Sequence, residues 1–246
     1  MILVKTFYAY NDLRNFSYLI YDGQSADAWV IDPYEANPII DYIKKTGLVL
    51  RGILNTHQHF DHIRGNAPLL QAFQTNVCKL KNSETIQLDS GHSLETLDTP
   101  GHTMDHQAFI WKKDHQAQAL FSGDTLFNSG VGNCRGGGDV NFLFQTTKKL
   151  LDNLPAGTLL YPGHDYRKKN LEFALKVEPE NGQIKESLRE LTGFETETLP
   201  PVTLGQERKV NPFFRLDSDE IKESVGGVVG NEKELFIKLR KLRDQW

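Results

Sequence analysis

Residues 55–62 read NTHQHFDH, placing His57, His59, Asp61 and His62 within six residues of a chain that has only eight histidines. Imidazole nitrogen and carboxylate oxygen are good ligands for divalent metals. Neither cysteine, Cys78 or Cys134, stands in a CxxC pair, so a metal here would be held by nitrogen and oxygen. His57 and His59, two apart, project to one side of an extended segment. Asp61 and His62 follow as the chain turns and aim at a second point nearby. Four such ligands suit one closed tetrahedral ion or two open ones.

Three later stretches repeat one pattern, a turn or strand-like run ending in glycine before a metal-competent side chain. TPGHT (99–103) offers His102, FSGDTLF (121–127) offers Asp124 and YPGHDY (161–166) offers His164. Glycine there lets the backbone turn sharply and approach a ligand closely. The candidate set of His57, His59, Asp61, His62, His102, Asp124 and His164 is enough for two divalent ions with Asp124 as a bridge. A purely structural ion is disfavoured, because structural zinc sites are typically cysteine-rich and four-coordinate. His106 is a candidate for orienting a ligand, with packing as its alternative role; His92 and His115 fall outside the set. Two divalent ions about 3.5–4 Å apart trap a hydroxide between them, since bound water's pKa falls toward 7. Metal-assisted hydrolysis of a carbonyl or phosphoryl group is therefore the default chemistry, with Asp61 and Asp124 as its catalytic carboxylates.

The elements that must position these residues follow from periodicity. Residues 2–8, 17–22 and 28–32 are β-branched or aromatic runs separated by turn residues and read as strands. Asp32-Pro33 ends the third. Residues 35–46 carry Ile39, Ile40 and Ile43 at helical spacing and stop before Gly47. A buried strand at 50–56 runs into the histidine cluster. Strands are expected near 76–80, 85–88, 106–111, 118–122 and 158–161, with a helix near 141–153. Strands alternating with helices at this length predict a layered α/β fold. Beyond residue 166 the pattern becomes helical, over 168–177, 181–192 and a last helix starting at Asn231 with Glu234 three residues on, a capping-box-like start. The expected organisation is a metal-binding catalytic domain over 1–166 and a helical substrate-binding domain over 167–246.

The 246 residues carry a net charge of −4 and no basic tract, which argues against a nucleic-acid partner. No apolar run approaches the roughly 20 residues of a membrane helix. The first residues show no secretory signal pattern, so a cytoplasmic location and a small-molecule substrate are the expectations, with no protein partner.

THQHFDH, TPGHT, GDTLF and YPGHDY resemble the metallo-β-lactamase superfamily, whose fold is an αβ/βα sandwich. The resemblance implies a first ion on His57, His59 and His102 and a second on Asp61, His62 and His164, with Asp124 bridging. The ions could be zinc, iron or manganese. Three more stretches narrow the family. HDYRKKNLEFALKVEPEN (164–181), TLGQERKVNPFFR (203–215) and LRKLRDQW (239–246) are similar to glyoxalase II, the hydroxyacylglutathione hydrolases. That resemblance implies hydrolysis of S-lactoylglutathione to glutathione and D-lactate, with a small C-terminal helical domain over the thiol. It places Arg240 and Arg243 at the glutathione carboxylates and Tyr166 at a substrate contact. A ligand with two carboxylates does want arginines, and residues three apart share a helix face.

The match departs at GVGNCRGGGD (130–139), where the family has a basic residue at Asn133 and an aromatic near Arg135. Arg135 is the candidate to supply the missing charge. Asp105 replaces a glycine of TPGHTxGH. Alternatives are a mono-iron glutathione-persulfide dioxygenase using His57, His102 and Asp124, and a hydrolase of another acyl substrate. A metal-dependent binding module would need a missing ligand, and none is missing.

Overall fold

Alternating apolar residues build a meander at the start of the chain: β1 (Ile2–Tyr8), β2 (Phe16–Asp22) and β3 (Asp27–Ile31) pair antiparallel in that order. α1 (Ala36–Thr46) then crosses over and delivers β4 (Val49–Leu54) parallel to β3. Leu19, Val30 and Ile53 of the sheet pack with Ile39 and Ile43 of α1, all essentially inaccessible. Each such side chain contributes roughly 1.5–3 kcal/mol of burial. The structure is a computed structural model that describes residues 1–89, 91–192, 196–227 and 230–246. Its contacts divide the chain into two units, one of residues 1–98, 105–123 and 161–164, the other of 99–104, 124–160 and 165–246.

The first unit continues with α2 (Phe60–Ile63) and α3 (Asn66–Ala72). A second antiparallel sheet follows in the order β5 (Thr85–Gln87), β6 (His92–Asp98), β7 (Gln107–Lys113) and β8 (Gln116–Gly123). Residues 161–164 return beside β8, where the Gly163 N–H donates to the Gly123 carbonyl at 2.9 Å. Two expectations differ from this. The strand expected near 76–80 is a single parallel bridge, Ile53 to Val77. The strand expected over 50–56 stops at Leu54, because the Asp32 carboxylate takes the Thr56 N–H at 2.7 Å in place of a strand partner.

In the second unit β9 (Leu126–Phe127) and β10 (Gly130–Val131) form a two-residue antiparallel pair. Asp139 caps α4 (Val140–Asn153) by accepting from the Asn141 N–H. β11 (Leu159–Pro162), of which Leu159 and Leu160 belong to this unit, precedes α5 (Arg167–Val177) and α6 (Gly182–Glu190). β12 (Val202–Thr203) pairs antiparallel with the start of β11. A Thr203/Gln206 capping box opens α7 (Leu204–Val210), and α8 (Asp219–Ser224) leads to α9 (Glu232–Gln245). Asn231 caps α9 through the Glu234 N–H; the Glu234 carboxylate turns instead to the Gly230 N–H at 2.9 Å. Leu171, Ala174, Ile184 and Val210 form the core between α5, α6 and α7. Arg215 grips buried Glu178 with both arms of its guanidinium, tying the segment after α7 to the end of α5. Among the described residues no helix is long and apolar enough to cross a membrane.

Candidate metal centre and substrate cavity

The end of β3 and the end of β4 lie side by side, and what they hold together is an acid. Asp32 is buried and sits at a left-handed φ of 49°. Its carboxylate accepts from the Thr56 N–H at 2.7 Å, the Thr56 hydroxyl at 2.7 Å and His62 Nδ1 at 2.9 Å. Because the Thr56 hydroxyl donates to Asp32, its oxygen is left to accept from His57 Nδ1, 3.0 Å away. One carboxylate therefore puts the proton on Nδ1 of both His57 and His62 and directs the lone pair onto Nε2 of each. His164 is set in the same way, its Nδ1 lying 2.7 Å from the Leu13 carbonyl. Asn15 donates to Asp61 Oδ2 at 2.9 Å and orients that carboxylate.

These constraints bring electron-rich atoms face to face. His62 Nε2 and His164 Nε2 are 3.2 Å apart, and Asp61 Oδ2 lies 3.5 Å from each. All three ligand atoms fall within 4.8 Å of one another. Lone pairs and a carboxylate so arranged repel unless a cation lies among them, which is the donor chemistry of a metal site. His57 Nε2 and His59 Nδ1 form a second close pair at 2.9 Å. His57, His62 and His164 are buried while His59 and Asp61 are partly exposed, so the group opens to solvent on one side. His106 is buried and stacks on the His57 ring with centroids 5.0 Å apart. Gly123 fits at φ 49° because a Cβ there would lie 2.5 Å from the Thr56 hydroxyl.

The second unit carries the other two expected ligands. His102 Nδ1 lies 2.7 Å from the Asn133 carbonyl, so its Nε2 bears the lone pair, and that nitrogen is 3.4 Å from Asp124 Oδ2. Both side chains are buried. Five of the seven expected ligands thus converge in the first unit, and two face each other in the second.

All five expected substrate contacts line one cavity of about 250 Å³ in the second unit. Asn133, Arg135, Tyr166, Arg240 and Arg243 surround it, with Lys169 and Asp244 adding charge. Four cationic side chains thus face one acidic side chain. Tyr166 packs edge-on against Phe127 with centroids 5.2 Å apart. Arg243 gives one N–H to Asn170 Oδ1 at 3.2 Å and lies over the Phe173 and Trp246 rings. Arg135 donates to the Asp244 carbonyl at 2.8 Å. Arg240 is buried, and burial pulls its guanidinium down to about 10, so it stays cationic at neutral pH. Sequence reasoning missed Asp32, Asn170 and Glu207. Asn170 and Glu207 stand in the buried stripes of α5 and α7, where a polar side chain signals a task.

A family model described as the metallo-beta-lactamase superfamily matches residues 11–83. The solved metallo-beta-lactamase from Staphylococcus aureus subsp. aureus COL superposes with a TM-score of 0.65 at 22% identity, over 99% of this chain and 71% of that one. A protein designated TTHA1623, solved in a di-iron-bound form, matches with a TM-score of 0.59 at 26% identity, over 84% of this chain and 99% of its own. The fold is therefore the metallo-β-lactamase fold, of mixed α/β class with a helical C-terminal region.

A second model, hydroxyacylglutathione hydrolase C-terminus, matches residues 165–246. The hydroxyacylglutathione hydrolase of Polaromonas sp. strain JS666 is 37% identical over 100% of both chains. The chain belongs to the hydroxyacylglutathione hydrolase family.

Proposed function

We propose that the protein hydrolyses glutathione thioesters, with S-lactoylglutathione giving glutathione and D-lactate. The observation that carries the substrate class is the cavity in which Arg135, Lys169, Arg240 and Arg243 face a single acid, Asp244. A tripeptide thiol with two carboxylates is the complementary ligand. Arg243 retains Nε and Nη1 without an acceptor among the described residues and is the first candidate to grip a carboxylate. Arg135 and Asn133 from the loop that precedes α4, and Tyr166 just before the substrate domain of residues 167–246, complete the contacts.

Two divalent ions are proposed, one on His57, His59 and His102, the other on Asp61, His62 and His164, with Asp124 shared. The donor set fits them, since protein groups hold the imidazole nitrogens and carboxylates with their lone pairs facing one another. Bound there, divalent ions lower the pKa of water toward 7 and take up charge developing on the thioester oxygen. The chain's own part is orientation: Asn15 fixes Asp61, Asp32 fixes His57 and His62, and the Asn133 carbonyl fixes His102.

The test pairs metal counting with two assays on the purified protein. Two ions per chain and release of glutathione from S-lactoylglutathione are expected. One iron per chain with oxygen uptake on glutathione persulfide would replace this reading with a dioxygenase.

A further inference from the structure

Residues 128–132 are held at every step by side chains from later elements. Asn170 of α5 donates to the Asn128 carbonyl at 2.9 Å. Glu207 of α7 accepts from the Ser129 N–H at 2.6 Å, and Asn211 donates to the Gly130 carbonyl at 3.2 Å. Arg240 of α9 donates from one nitrogen, Nη1, to the Val131 carbonyl at 2.8 Å and the Gly132 carbonyl at 3.4 Å. All four of these side chains are buried. The next residue, Asn133, supplies the carbonyl that sets the tautomer of His102. Gly132 also rests against Asp124, where a Cβ would lie 1.9 Å from the Asp124 carbonyl oxygen.

We propose that Arg240 is a positioning residue, which fixes the 131–133 backbone so that the Asn133 carbonyl holds His102 with its lone pair on Nε2. Its Nη1 is committed to carbonyls and its Nη2 to Asp244 at 3.0 Å, while the Phe213 ring lies 5.5 Å from its guanidinium carbon. Both terminal nitrogens are thus committed within the protein, and of its donors only the buried Nε lacks a partner. Arg243, three residues on, keeps two nitrogens open and is the first arginine for the ligand. α9 thereby acts on a metal ligand through the loop. The inference rests on His102 being such a ligand.

The test compares Arg240→Met, Arg240→Lys and Arg243→Met. Zinc affinity is read by chelator competition, the His102 tautomer by nitrogen NMR of the metal-free protein, and KM and kcat with S-lactoylglutathione. Arg240→Met is expected to weaken zinc at one site by roughly 10–100-fold, the usual effect of removing a group that orients a ligand. It should also mix the His102 tautomers and lower kcat more than it raises KM. Arg240→Lys restores part of each, having one ammonium for the two carbonyls, and it carries the test should the Met variant fail to fold. Arg243→Met raises KM and leaves zinc affinity and tautomer unchanged. An Arg240 variant that raises KM with wild-type zinc affinity and a wild-type His102 tautomer overturns the proposal. Zinc affinity and tautomer are read without turnover. A wild-type protein inactive on the thioester therefore refutes the proposed substrate, while those two readouts still decide the role of Arg240.

Discussion

Asp32 governs two imidazoles from one position. It accepts directly from His62 and, through the Thr56 hydroxyl, sets the donor side of His57. Asn at this position retains one acceptor oxygen and gains an amide that cannot accept from His62 Nδ1. Asp32→Asn should therefore lower divalent-metal affinity about 10–100-fold while the protein stays folded. Isothermal titration of the metal-free variant measures this, and wild-type affinity would remove Asp32 from the account. In the sequence Asp32 reads as the residue that ends a strand, because Asp-Pro is a stop signal whatever the carboxylate does. Its partner His62 lies thirty residues on, and no local pattern declares that pairing. The ligands themselves were legible because ligand chemistry restricts residue type and spacing, whereas an orienting acceptor can be any oxygen, as the Leu13 and Asn133 carbonyls demonstrate.

Among elements, α7 is anchored by an acid where its stripe calls for an apolar residue. Leu204, Glu207 and Val210 are its buried positions, and burial raises the Glu207 carboxyl from 4.5 to about 7. The Ser129 N–H, the Asn211 amide and the Arg167 charge oppose that rise without cancelling it. Between about pH 4.5 and 7 the folded chain keeps a proton that the unfolded chain has released. Stability from this group therefore falls as pH rises through that window and is level above it. The slope approaches about 1.4 kcal/mol per pH unit for one proton. Glu207→Gln should flatten the profile, as urea titrations at pH 5, 6, 7 and 8 would record. Long elements were the readable ones: β1 to β4, α1, α4, α5 and α9 lie within a few residues of expectation. β6 was legible only as a strand-like stretch before TPGHT, without bounds, because its inward positions alternate Leu94 with Thr96 and give only half an apolar pattern. β9, β10 and β12 are two-residue strands fixed by tertiary contacts, so they carry no periodicity to detect.

For the whole molecule, donors whose lone pairs face one another gain from a cation by relief of repulsion as well as by the bonds it makes. Removing metal with a chelator should lower the melting temperature on the order of 10 °C, since a site at about a thousand times Kd contributes roughly 4 kcal/mol. Calorimetry of the stripped and reloaded protein measures it, and equal midpoints would refute a tightly held metal. The composition made a globular chain plain and the alternation of strands with helices an α/β one, but the segments that contribute to each unit were not legible. Thr99–Met104 and Asp124–Leu160 group with the residues from Asp165 onward, and the first meets α4 where the Thr146 hydroxyl donates to the Pro100 carbonyl.

The segment 128–132 also has an order in time. Its supports stand 42, 78, 81 and 109 residues downstream of the backbone groups they hold, each later than the last. Synthesis proceeds from the amino end at roughly 5–20 residues per second. A nascent chain therefore cannot complete this loop until α9 has left the ribosome, since Arg240 supplies the bonds to Val131 and Gly132.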